Sequence, residues 1–155
     1  QVVSYFERPY KELVAEFGAK AAADAQRAID NSWDHLSEMY TEAGLDIPFS
    51  RFIGYNGYST FEQLINVLEE SKCRKESGLD PYDCSISETA PFIQEIDVAY
   101  KDLYKIVPHK EVLEKLETEN TDYLAVDSGH KGTINSALFC QEIYLYLQQY
   151  NPNNI

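Results

Sequence analysis

The sequence predicts an all-α fold: an irregular antiparallel bundle of about five helices with a buried C-terminal helix, in a single helical domain over residues 1–155. Three observations point there. Residues 133–150, TINSALFCQEIYLYLQQY, are the densest apolar run, and Phe139, Cys140, Ile143, Tyr146, Leu147 and Tyr150 recur at spacings that draw one broad helical stripe. Tyr10, Leu13, Val14, Phe17, Ala21, Ala25, Ala28, Ile29, Trp33, Leu36 and Tyr40 hold helical phase through the first part of the chain. Alternation of β-branched residues never persists for four residues, so strand signals are nearly absent.

The first helix is expected to open at Pro9 and to stop at Gly44, with a break near Asn31 and Ser32 admissible. Gly18 weakens it locally and leaves room for close approach by another helix. Residues 46–59, with Pro48, Gly54 and Gly57, read as a loop. Ser59 and Thr60 then cap a second helix, with Glu62 and Gln63 at capping-box spacing and Lys72, Arg74 and Lys75 suiting its C-terminal end. Residues 77–87 read as a further loop. A third helix would carry Ile93, Ile96, Tyr100, Leu103 and Val107 on one face and end at Pro108. A fourth would carry Val112, Leu113 and Leu116. Residues 126–131 break the pattern before the final helix.

A chain of 155 residues is long enough to bury roughly 70% of its unfolded surface around one core. Its formal charge of −13 repels phosphate backbones and anionic lipid, which sets nucleic acid and membrane surfaces aside as partners. Basic proteins, cations and neutral ligands remain. No apolar run reaches the ~20 residues of a membrane span. A start at Gln1 without methionine fits removal of a secretory signal, as it fits a chain trimmed in any other way, and an extracellular location is the expectation. The cysteines are three, Cys73, Cys84 and Cys140, which allows one intramolecular disulfide. Cys73 and Cys84 bracket a turn-rich loop and form the favoured pair, leaving Cys140 as a buried thiol on the last helix. A bridge from Cys140 to one of the other two, or three reduced thiols, are the alternatives.

Catalytic and metal chemistry find little purchase. His35, His109 and His130 stand singly in separate segments, without a second ligand at metal-binding spacing. The sequence Gly129-His130-Lys131-Gly132 lacks the spacing of a phosphate-binding loop. The expectation is a protein that is not an enzyme and uses no cofactor and no metal. One stretch departs from ordinary loop chemistry: FSRFIGYNGYSTF, residues 49–61, with an aromatic at every third position and a single charge at Arg51. Tyrosine with glycine and serine makes adaptable recognition surfaces. Tyr55, Tyr58, Arg51 and Phe52 are therefore the candidate partner-binding residues. Tyr55 and Tyr58 are the side chains most expected outward, whereas Phe49, Phe52 and Phe61 are more readily turned in. The competing reading has the aromatics closing one end of the bundle. A second functional reading is carriage of a small apolar ligand between helices, lined by Tyr100, Tyr104, Tyr144, Tyr146 and Tyr150.

Acidic, tyrosine-rich and sparing in cysteine, with a processed-looking start at QVVSYFERPY, the chain resembles the small secreted helical proteins in the saliva of blood-feeding flies, mosquitoes in particular. That resemblance is of style and rests on no diagnostic motif. It implies a secreted, non-enzymatic binder that acts by protein–protein contact on a host protein or on the insect's own mouthpart cuticle.

Overall fold

Thr60 shows how firmly local chemistry can set an element. Its side chain accepts the Gln63 backbone N–H at 3.2 Å, and Gln63 Oε1 accepts the backbone N–H groups of Thr60 at 3.2 Å and Ser59 at 3.0 Å. This reciprocal cap satisfies donors that a helix start otherwise leaves orphaned. The helix it launches spans Phe61–Glu76 and centres the main core. The structure is a computed structural model that describes residues 2–3, 8–46 and 49–150.

In chain order the elements are β1 (Val2–Val3), α1 (Tyr10–Phe17), α2 (Ala19–Asp30), α3 (Ser32–Ala43), β2 (Phe49–Tyr58), α4 (Phe61–Glu76) and β3 (Asp83–Ser87). Two short 3-10 turns follow, Ile93–Glu95 and Val98–Tyr100. Then come β4 (Tyr104–Val107), α5 (His109–Lys115), β5 (Ala125–Ile134) and α6 (Ser136–Tyr150). The all-α expectation is overturned, because a mixed sheet joins the helices to make an α/β fold. Three segments expected as loops are strands. The third expected helix is two 3-10 turns and a strand: Asp97 accepts the Ala99 N–H at 2.8 Å, a side-chain bond that competes with helix propagation.

The long first helix is three. Gly18 sits at φ 83° and ψ 153°, a conformation that side chains exclude, and it separates α1 from α2. Asn31 separates α2 from α3, and Gly44 ends α3 in the left-handed conformation.

The chain forms two units. The larger comprises Phe6–Ala25 and Ile53–Gly129. In it β3 pairs in parallel with β4, Ile86 opposite Ile106, and antiparallel with β5, Cys84 opposite Asp127. β2 also pairs with β5. Cys84, Ile86 and Ala125 pack with Leu64, Leu68, Phe92 and Leu103 in the main buried cluster. On the other side of β3, Lys115 Nζ donates to Ser85 Oγ at 3.1 Å, and Ser87 Oγ lies 3.0 Å from His109 Nδ1. Residues 84–87 are all buried, so β3 is covered on both faces. A second cluster seats Tyr10, Leu13, Ala22 and Ala23 against Leu79. The carboxylate of Glu70 accepts the Lys11 backbone N–H at 3.3 Å, and Lys11 Nζ pairs with Glu69 at 2.7 Å, which fastens α1 to α4.

The smaller unit comprises Gln1–Tyr5, Gln26–Phe52 and His130–Ile155. Its order rests on a chain of rings: Trp33 stacked on Phe49 at 5.9 Å, Phe49 tilted against Tyr40 at 5.7 Å, and Tyr40 stacked on Phe139 at 5.7 Å. β1 pairs here with β5, Val2 opposite Gly132. Gly132 is required because a Cβ would lie 2.6 Å from the Trp33 ring. None of the residues of α6 is buried, contrary to the expected buried C-terminal helix.

The expected Cys73–Cys84 disulfide is also overturned, and all three cysteines are free thiols. Cys73 faces the Tyr10 cluster from α4, whereas Cys84 faces the main cluster from inside β3. Cys140 is exposed rather than buried. Burial, reinforced by the charges of Asp127 and Asp83, pushes the Cys84 thiol up to about 12.

Two outcomes follow. Under a thiol-specific reagent Cys140 should label first, Cys73 more slowly, and Cys84 only after denaturation; fewer than three labelled thiols in the unfolded, unreduced chain would restore a disulfide. The second concerns alkaline pH. The folded state keeps Cys84 protonated after the unfolded chain has begun to ionise near 9, so this stabilisation is full below pH 9 and is lost as pH rises toward about 12. Wild type should therefore lose its stability margin over Cys84→Ala across that window, as read from paired urea melts.

Candidate functional site

The candidate contact residues fall on β2, and period-two alternation sorts them. In the larger unit, Gly54, Asn56 and Tyr58 share one face and Ile53, Tyr55 and Gly57 the other. The first face is turned to a buried carboxylate. Asn56 Nδ2 donates to Asp127 Oδ1 at 2.7 Å, and the Tyr58 hydroxyl donates to Asp127 Oδ2 at 2.8 Å. Asp127 is 6% exposed, a position a carboxylate holds only when well supplied with donors. Tyr58 is half-buried against the main cluster, and its hydroxyl ionises far less readily than usual, first through burial and then through the Asp127 charge.

The second face is open at one end and closed at the other. Gly57 lies under Leu116 and Tyr123, where a Cβ would approach the Tyr123 ring to 2.6 Å and Leu116 Cδ1 to 2.8 Å. Two and four residues earlier, Tyr55 and Ile53 are 38% and 45% exposed. Among the described residues, β5 is the only strand that pairs with β2, and no second strand lies along its other edge.

The four expected contact residues thus part company. Tyr55 faces solvent. Tyr58 does not: it is a strut beneath the sheet. Phe52, in the smaller unit, is 44% exposed and so departs from its expected inward orientation. Arg51, also in the smaller unit, pairs with Asp34 at 3.3 Å, donates to Ser37 Oγ at 3.4 Å, and lies over the Trp33 ring at 5.4 Å. Phe49 and Phe61 are half-buried, Phe49 in the aromatic stack and Phe61 on Phe92 at 5.4 Å. Ile53, Asn56 and Asp127 were not among the expected site residues. Asn56 and Tyr58 at a spacing of two carried the signal, but Gly54 before them and Gly57 between them concealed the strand.

Other polar groups offer less. Ser87 and His109 are within hydrogen-bond distance, yet Ser87 is fully buried and its Oγ also accepts the Thr89 N–H at 3.1 Å. No substrate reaches that oxygen. No cluster of three metal-ligating side chains occurs among the described residues. A recess of about 500 Å³, open to solvent, lies along the end of α5 and is lined by Lys110, Leu113, Glu114, Glu117, Thr118 and Glu119. Its charged rim is not the enclosed apolar chamber that carriage of a small ligand asks for. Glu117 sits in the left-handed conformation at φ 51° as the chain leaves α5. No protein family, curated protein or solved structure matches the chain, and nothing links it to the salivary proteins of blood-feeding flies.

The two tyrosines should respond oppositely to substitution. Tyr58→Phe removes a hydrogen bond from a buried carboxylate and should cost about 1–3 kcal/mol, seen as an early thermal melt. Tyr55→Ala should cost less than about 1 kcal/mol. If both variants melt alike, the division of β2 into an inner and an outer face is wrong.

Proposed function

We propose that this chain is a non-enzymatic binding protein that acts by protein–protein contact, through the outer face of β2 and its edge away from β5, at Ile53 and Tyr55. The observation that carries this reading is the exposure of these two apolar side chains on a strand that, among the described residues, pairs along one edge only. Proteins usually shield such edges with lysine, proline or a covering element. The strand here has a single charge, Arg51, and no proline. Partner segments add to edges of this kind through backbone hydrogen bonds and take their specificity from alternate side chains.

Charge supplies the partner's chemistry. The face that bears Ile53 and Tyr55 runs on to Gly57, beneath Leu116. Immediately past Leu116 the α5 recess presents Glu117 and Glu119, with Glu114 already paired to Lys110 at 3.2 Å. Together with the net charge of −13, this favours a basic partner whose approach is steered electrostatically.

The test is parallel affinity capture with immobilised wild type and Tyr55→Ala, followed by titration of whatever binds wild type alone. Tyr55→Ala and Ile53→Ala should each weaken binding about tenfold, the loss typical of an anchor worth ~1–2 kcal/mol, with folding intact. Affinity should also fall as salt is raised. A partner that binds both variants at full strength, or that is indifferent to salt, would remove β2 from the contact.

A further inference from the structure

We infer that α6 is a self-association surface whose occupant is a second copy of this chain, an inference independent of β2. Among the described residues, the half-buried side chains of the helix, Phe139, Glu142, Ile143 and Tyr146, share one side. Phe139 stacks on Tyr40 with an interplanar angle of 16°, and Ile143 and Tyr146 are half-buried nearby on the helix surface. Turned away from that side, Ala137, Cys140, Tyr144 and Leu147 follow one another at spacings of three, four and three, and every one is exposed. That repeat is the a/d seam by which one helix receives another. Leu138 and Leu145 continue the exposed arc, with two glutamines between. Of the twelve exposed large apolar side chains among the described residues, five are on α6: Leu138, Tyr144, Leu145, Leu147 and Tyr150. So strong a concentration on one short helix is not the scattered exposure normal for a protein surface.

Charge selects the occupant. α6 has one charged side chain, Glu142, and it is half-buried; the exposed arc has none. In a chain of net charge −13, two copies repel across most surfaces, and this uncharged face is where that repulsion is least. A basic partner gains nothing from a face without carboxylates. Helices that lie on lipid present lysine or arginine beside their apolar side, and α6 has neither. A two-fold axis needs only that the same patch fit itself, which a seam of small and large residues satisfies. The arc is one side of a single 15-residue helix, a small patch beside the ~800 Å² each partner gives to a standard interface. The association is therefore weak and depends on concentration.

Sedimentation of the full chain over a wide concentration range should show a reversible monomer–dimer equilibrium. Leu147→Glu places a like charge in the seam and should move that equilibrium at least tenfold toward monomer with an unchanged thermal melt. Gln149→Glu adds the same charge off the seam and should leave the dimer as it was. A short bis-maleimide applied to the wild-type chain should yield a covalent dimer that maps to Cys140 in both copies, an outcome that does not depend on how any variant folds. A monomer at every concentration overturns the inference. So does a dimer indifferent to Leu147→Glu, or wild-type binding to zwitterionic vesicles that Leu147→Glu abolishes while no dimer forms.

Discussion

Asp127 is a carboxylate held at 6% exposure, and the sheet of the larger unit is arranged around the cost of keeping it there. An ionised group so placed needs donors, and β2 supplies two of them from alternate residues, Asn56 and Tyr58. To do so β2 must run beside β5 in one register, because a slip of one residue would turn both donors to the opposite face. The same register brings Gly57 beneath Leu116 and Tyr123 and sends Ile53 and Tyr55 outward. The buried bond and the exposed surface are thus two faces of one constraint. Cys84, directly opposite Asp127 on β3, is a thiol that stays protonated far into alkali, first because it is buried and then through the Asp127 charge.

The two units solve the burial problem differently. Both clusters of buried apolar side chains lie in the larger one, where α4 covers the Cys84 side of β3 and α5 the Ser85 side. The smaller relies on a chain of rings from Trp33 through Phe49 and Tyr40 to Phe139. Stacked rings contribute about 0.5–1.5 kcal/mol per pair beyond their area, but they seal little volume. Local opening of this unit should accordingly lie at the low end of the chain's stability range.

What was legible in the sequence was chemistry that acts within a few residues. The Thr60–Gln63 cap and the Gly44 stop stand as the spacing implied. The strands were not legible, because their causes are distant. β5 reads AVDSGHKGTI, with Asp, Ser, His, Lys and two glycines, most of which are poor strand formers. It is extended because β3, β1 and β2 pair with it. β3 reads DCSIS, and its serines are buried only because Lys115 and His109 come to meet them from α5. In β2 the aromatics recur every third residue, a period that belongs to neither strand nor helix, and they alternate faces in consequence. Of the candidate contact residues, the exposure of Tyr55 was legible in its chemistry, whereas the inward turn of Tyr58 was not, because it depends on an aspartate 69 positions away.

Residues 133–150 are the densest apolar run, a density that implies burial, yet no residue of α6 is buried. The inference failed for a physical reason. Helical stripes report that a face will be covered, not that the same chain covers it. The side of α6 that meets Tyr40 accounts for Phe139 and leaves the seam from Ala137 to Leu147 without an intramolecular counterpart among the described residues. An apolar helix in water is not indifferent to that state: each half-exposed leucine or tyrosine keeps a hydrophobic driving force of order 1 kcal/mol. Four or five such residues amount to several kcal/mol that only a further surface can recover. The net charge of −13 sets the kind of surface, since it disfavours contact between copies almost everywhere except on the helix where charge is nearly absent.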